Sequence, residues 1–263
     1  MINFPFRYVS TTFAVCAPLV AFPALSEEPQ NNNHVSLGIS AINTPRYSGS
    51  DETTTIFAPV IDVREAFLFV NFEKGLGYEI ELPAGFYFQN AVGYSAGRKD
   101  KEKDMQFGSD KLRGMGEIKG TMNTSLAFGW NINDRISTEI SAWLPLGESY
   151  GARYTGSVTG VLLKGDSNIV TLRLAALFGD RRYNQTYYGV DTRQSQGSGY
   201  AKYAPGCGMY GQSVALSWTH IFSEHWSATL GGNYTYLNDK VAESPIVFKK
   251  DGLDGFAAVS YTF

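Results

Sequence analysis

Gly252-Leu253-Asp254-Gly255-Phe256-Ala257-Ala258-Val259-Ser260-Tyr261-Thr262-Phe263 is the stretch on which the reading of this chain turns. Leu253, Gly255, Ala257, Val259, Tyr261 and Phe263 share one face of an extended strand. Asp254, Ala258, Ser260 and Thr262 share the other, with Phe256 the one exception. A two-residue period marks a strand between an apolar and a polar environment. In a soluble protein such a terminal strand would be a sticky edge. In a closed membrane barrel it would pair with the first strand and turn its apolar face to lipid. Tyr261 and Phe263 are then expected to serve assembly and closure.

Composition agrees with that reading. The 263 residues suit one large all-β domain, and 22 basic against 25 acidic residues leave no basic excess for nucleic acid. Aromatic residues make up 14% of a chain whose mean hydropathy is only -0.17. Helical membrane proteins are more apolar; barrels are not, because half of each strand faces a polar lumen.

Toward the N-terminus, Arg7 precedes an apolar run at residues 13–22 that is too short to span a bilayer, and Ala24-Leu25-Ser26 follows. This pattern predicts an export signal over residues 1–26, cleaved after Ser26, ahead of a barrel domain over 27–263. Phe13-Ala14-Val15 before Cys16 lacks the small residue of a lipidation site, which leaves Cys207 as the one cysteine of the processed chain. One cysteine forms no internal disulfide and argues against a stapled small domain.

Alternation divides the remainder into twelve segments. The odd-numbered connections fall at 43–53, 74–75, 97–116, 146–151, 179–208 and 237–251. The even-numbered ones fall at 64–65, 83–84, 131–134, 164–167 and 221–225. Apart from 74–75, the long connections lie on one side and the short ones on the other. Outer-membrane barrels sort their loops this way, with short periplasmic turns. The expected fold is therefore an all-β, antiparallel, up-and-down transmembrane barrel of about twelve strands. It would sit in the outer membrane of a Gram-negative bacterium, in contact with lipid and lipopolysaccharide. Rings near segment ends, among them Tyr78, Tyr94, Tyr154, Phe178, Trp218, Trp226, Tyr234 and Tyr236, suit the headgroup level.

No chemistry-bearing motif accompanies this architecture. His34, His220 and His225 lack ligand spacing, and no G-x-S-x-G, P-loop or H-E-x-x-H occurs. Ser217 and His220 have opposite strand parity and point to opposite faces. The expectation is a non-enzymatic protein with no cofactor and no metal. Parity places Glu79, Glu81, Lys119, Arg135, Glu139, Arg173 and Asp254 toward the lumen. They would either line a selective pore or pair across a narrow lumen and plug it, and mixed signs favour the plug.

The distinctive words lie in the long loops. Pro45-Arg46-Tyr47-Ser48-Gly49-Ser50-Asp51 opens the first, and Gly97-Arg98 with Leu112-Arg113-Gly114-Met115-Gly116-Glu117 frames the third. Tyr183-Asn184-Gln185-Thr186-Tyr187-Tyr188-Gly189-Val190 lies in the fifth, and Glu243-Ser244-Pro245-Ile246-Val247 in the last. Pro and Gly would fix turns there, while Arg and Tyr could tie loop to loop. As a set and in this order, ending in Tyr261-Thr262-Phe263, they resemble the MipA/OmpV family of outer-membrane proteins across nearly the whole processed chain. That family is named for a member that binds a membrane-bound lytic transglycosylase. The resemblance implies a scaffold holding such an enzyme with a bifunctional penicillin-binding protein in murein remodelling. Other members are described as outer-membrane antigens, adhesins or antibiotic-response proteins. The rival readings are a narrow diffusion channel and a surface adhesin or antigen working through the Tyr-rich fifth loop. The family supplies no catalytic residues.

Overall fold

The computed structural model describes residues 33–147 and 150–263; the expected export signal lies outside them. Twelve antiparallel strands close into one barrel in sequence order, with the last paired to the first. They are β1 (His34–Pro45), β2 (Thr53–Glu65), β3 (Leu68–Asn71), β4 (Gly75–Glu81), β5 (Phe86–Ser95) and β6 (Thr121–Asn131). Then come β7 (Ile136–Pro145), β8 (Arg153–Lys164), β9 (Asn168–Gly179), β10 (Gly208–Ile221), β11 (Trp226–Leu237) and β12 (Asp251–Thr262). No helix among the described residues is long and apolar enough to cross a membrane; strands do the crossing.

The opening stretch closes the ring. β12 pairs with β1 from Ser36↔Thr262 to Asn43↔Gly255, and Phe263 donates its N–H to the Val35 carbonyl at 3.0 Å. The outward face of the barrel is apolar: Ile39 is 75% exposed, Phe57 66%, Ile140 64% and Leu253 62%. A contiguous belt of such side chains is unsuited to water and suited to hydrocarbon. Inward positions carry small hydroxyls that bond across strands, as in Ser36 with Thr262 at 2.8 Å and Ser227 with Ser260 at 3.0 Å. This satisfies buried polar atoms with no water required.

Phe256 points inward and joins a lumen cluster with Ile42, Ala58, Val60, Phe107 and Ala258. Its ring lies over Gly231, where a Cβ would come within 2.4 Å of it, so a glycine opposite makes room for the phenylalanine.

Two sequence-based segments shorten, and two of the loops gain helices. The segment expected over 117–130 begins only at Thr121, because Ile118 bridges to Arg98 and belongs to the loop layer. The third segment, expected over 66–72, shrinks to the four residues of β3, and β4 has seven, whereas the other ten strands have 10 to 14. A tilted strand needs about 9–11 residues to cross the hydrocarbon. The β3–β4 hairpin therefore stops partway up the wall, which explains why its turn alone was short on the long-loop side. The fifth loop also holds two short helices, α1 (Arg181–Tyr188) and α2 (Thr192–Ser198), and the last holds α3 (Asp239–Ala242).

Candidate functional site

Two layers above one another define what this barrel can do: a charged layer along the lumen wall and a packed cap over the outer mouth.

The charged layer is built from inward positions of β2 to β9. Arg64 Nη1 contacts Glu79 Oε1 at 3.1 Å, and Gln89 Nε2 donates to Glu79 Oε2 at 2.6 Å. Lys74 Nζ donates to Gln89 Oε1 at 2.5 Å. The Tyr87 hydroxyl donates to Glu139 Oε2 at 2.9 Å, and Arg173 Nη2 donates to Ser157 Oγ at 2.9 Å. Opposite charges at this separation attract strongly away from bulk water, and each bond removes a group that a passing ion could have used. Where Lys74, Gln89, Glu139 and Arg173 converge, a pocket of about 30 Å³ remains, room for about one water. On the far wall, Asp254 accepts from Thr44 Oγ1 at 2.6 Å and from Asn233 Nδ2 at 2.9 Å.

Of the charges assigned to the lumen, Glu79, Glu139, Arg173 and Asp254 are there. Glu81 has the right parity but is exposed at the periplasmic end of β4. Lys119 and Arg135 are corrected: Lys119 is exposed in the loop before β6, where its N–H donates to the Tyr150 hydroxyl at 2.9 Å, and Arg135 is exposed in the turn before β7. Lys119 lies ahead of the β6 ladder, where parity no longer fixes direction, whereas the Arg135 carbonyl still accepts from Val161 N at 2.8 Å and the residue is exposed because it sits at the rim of the wall. Arg64, Lys74, Tyr87, Gln89 and Ser157 join the layer without having been expected there. Lys74 and Arg64 fall in connections by sequence, and the other three are uncharged strand residues.

The cap draws on four loops. Arg46 Nη2 pairs with Glu102 at 2.6 Å, and its carbonyl accepts from Gly108 N at 3.0 Å. The Tyr47 hydroxyl donates to the Ile246 carbonyl at 3.1 Å, and the Arg98 guanidinium lies 5.8 Å from the Tyr47 ring centre. Arg98, with 4% of its surface exposed, also donates to the Tyr187 carbonyl at 3.2 Å. Burial lowers its guanidinium from the ordinary arginine value. Gly49 has φ +96, a left-handed conformation that suits glycine, and its carbonyl accepts from Phe248 and Lys249. Asp51 holds Lys111 at 2.6 Å and 2.8 Å. That bond keeps the Asp51 carboxyl below its usual range and raises Lys111.

Leu112, with no exposed surface, packs with Tyr47, Met115, Val190 and Ile246. Gly114 (φ +84) lies against the backbone of Gly197, Gly116 (φ +79) turns into β6, and Gly97 precedes the Arg98–Ile118 bridge. Tyr183 and Tyr188 both pack against Tyr210. The Tyr188 hydroxyl shares a hydrogen bond with Ser48 at 2.8 Å, and burial raises its pKa. Gly189 ends α1, donating to the Gln185 carbonyl. Ser244 Oγ donates to the Tyr188 carbonyl at 2.5 Å, and Pro45 and the half-buried Pro245 flank the same layer. The loop words therefore meet in one layer over the barrel. Among the described residues no group of three or more His, Cys, Asp or Glu side chains could hold a metal.

A closed barrel with an apolar belt, short turns at one end and a folded loop layer at the other defines an outer-membrane β-barrel protein. Residues 37–263 match the family described as MltA-interacting protein MipA, and the chain belongs to that family. No curated protein matches it. Among solved structures it is similar to the KdgM porin, at 10% identity and a TM-score of 0.46, covering 87% of this chain and 99% of that one. An outer membrane channel from Pseudomonas putida F1 shares 10% identity at a TM-score of 0.45, covering 93% and 100%. The NanC porin shares 8% at 0.42, covering 86% and 98%.

Proposed function

We propose that this barrel is a non-enzymatic envelope scaffold, which holds a lytic transglycosylase together with a penicillin-binding protein at the outer membrane. The observation that carries the reading is the double closure. Inward side chains of neighbouring strands bond to one another along the lumen wall, at Arg64, Glu79 and Gln89 and at Tyr87 and Glu139, leaving a pocket of about 30 Å³ beside Arg173, and a packed cap covers the outer mouth. A barrel closed twice is poorly built to pass solutes and is left with its surfaces to work with. The family's descriptive name points to the same partner class.

On the periplasmic side, Phe67 is 60% exposed and Phe222 63%, in turns beyond the strands. Exposed rings in short turns give a membrane-attached partner something apolar to bury. The test is cross-linking in cells that carry a tagged barrel, followed by identification of what is retained. Recovery of a lytic transglycosylase is expected, with at least a fivefold loss in a Phe67→Ser, Phe222→Ser variant that still assembles. No transglycosylase under cross-linking contradicts the reading.

A further inference from the structure

The short β3–β4 hairpin leaves a notch in the barrel wall. β2 pairs with β1 along all of Thr53 to Arg64, but with β3 only from Asp62 to Glu65. One further bond, from Phe72 N to the Ile61 carbonyl at 3.1 Å, extends that contact. On the other side, β4 ends against Val92, while β5 runs on to Ser95. Among the described residues no strand fills the outer part of the wall between β2 and β5. Broken pairing at membrane depth is tolerated where the backbone is covered by protein or lines a cavity.

Both kinds of cover are present. Near β2 the inside of the notch is backed by Phe107, which packs on Ala58 and Val60. Near β5 it is occupied by a cavity of about 390 Å³, within the range of small-molecule sites. The cavity lining includes Phe72 and Tyr94, which face outward and are 39% and 62% exposed. It also includes Asn123 and Trp143, which face inward. A cavity lined by both faces of the wall passes through the wall. Tyr183 and Tyr187 of the cap close it above, and the charged layer lies below. At its inner end, Glu73 has 3% of its surface exposed, and its Oε2 has no hydrogen-bond partner among the described residues. A buried acceptor left unmet is costly, and a ligand O–H would meet it.

We propose that the notch is a lateral portal, through which a small phenolic aromatic compound passes from the membrane into a binding cavity beneath the cap. The rings of Phe72, Tyr94, Trp143 and Tyr183 offer flat apolar contact, and Glu73 accepts the phenol proton's hydrogen bond. Size and ring lining select a compound of about two rings, and the unmet acceptors Glu73 Oε2 and Asn123 Oδ1 select one that carries a hydroxyl.

The test uses the full barrel in phospholipid vesicles and a phenol carrying an aryl diazirine, with labelled residues mapped by mass spectrometry. Label on Trp143 or Tyr183 is expected, falling at least fivefold with excess 2-naphthol and much less with naphthalene. Ala96→Trp, at the mouth, and Asn123→Phe, inside the cavity, should each reduce that label at least fivefold while label on outward-facing Leu126 stays unchanged. Each variant is scored only as a heat-modifiable, folded barrel. If neither folds, competition in the unaltered protein decides. Label confined to outward-facing residues, label on Trp143 that 2-naphthol does not displace, or equal displacement by naphthalene would each overturn the proposal.

Discussion

Leu112→Ala tests whether the cap is a packed layer or a set of loops that merely lie together. Leu112 has no exposed surface and touches residues from three other loops: Tyr47, Val190 and Ile246. Truncating a buried leucine to alanine costs about 2–5 kcal/mol, the larger values where neighbours cannot collapse into the space. Tyr47 and Val190 are held by hydrogen bonds to the Ile246 carbonyl and to Tyr203, so relaxation should be limited. The loss falls on the cap and not on the barrel, whose strands pair independently of Leu112. Local opening of the cap should therefore become roughly 30- to 5,000-fold more frequent, at about 1.4 kcal/mol per factor of ten. Trypsin cleavage after the neighbouring Lys111 and Arg113 reads this directly, provided reclosing outpaces cleavage. The expected result is faster cleavage in that range with an unchanged heat-modifiable barrel. A change of less than threefold would refute the claim that apolar packing holds the cap shut.

Further outcomes follow from other parts of the molecule. Phe263→Asp removes an apolar ring, 64% exposed on the outward face of the closing strand, and places a charge there; the amount of heat-modifiable barrel in the membrane fraction should fall severalfold, and normal amounts would count against a role in closure. Cys207 is exposed and lies between α2 and β10 on the long-loop side; a membrane-impermeant maleimide should label it on intact cells and fail to label Cys207→Ser, and labelling only after lysis would reverse the orientation. Asp51 titrates below its ordinary 3.8 because Lys111 donates to it, and Lys111 titrates above its ordinary 10.5 for the same reason. The carboxylate's contribution is thus fully present above the ordinary value and lost as pH falls through the lower folded one. The lysine's contribution is present below 10.5 and lost as pH rises through the higher folded value. Protease resistance of the cap should weaken at both extremes, more gently at high salt, and Asp51→Asn should reduce the acid limb, the remainder resting on Asp110, which the Glu102 N–H and Arg113 also hold below its ordinary value.

The barrel was legible in the chain because strand parity repeats every two residues, and ten strands are long enough to display it. Leu253 to Phe263 and Val35 to Ala41 face as their alternation demands, and the register between them follows from closure. β3 was not legible, since four residues, Leu68 to Asn71, are too few to show a period and apolar neighbours on both sides hid its ends. Lys119 was misplaced for a related reason, since parity describes a ladder and it lies beyond one, while Arg135 lies at the rim, where parity says nothing of exposure. The cap words could be seen as unusual, but which loops met was invisible. Contacts such as Tyr47 to Ile246 and Ser244 to Tyr188 join residues separated by 199 and 56 positions and depend on the ring having closed. The Glu79–Gln89–Lys74 bonds were hidden similarly, because they rest on the register between β4 and β5.

The central claim is that the lumen is closed and the protein works through its surfaces. Current recorded after insertion of the purified barrel into a planar bilayer tests this most directly. The paired Arg64, Glu79, Gln89 and Lys74 side chains under an intact cap predict electrical silence. Stable unitary conductance steps from the unaltered protein, sensitive to substitution of Arg173 or Glu139, would contradict it.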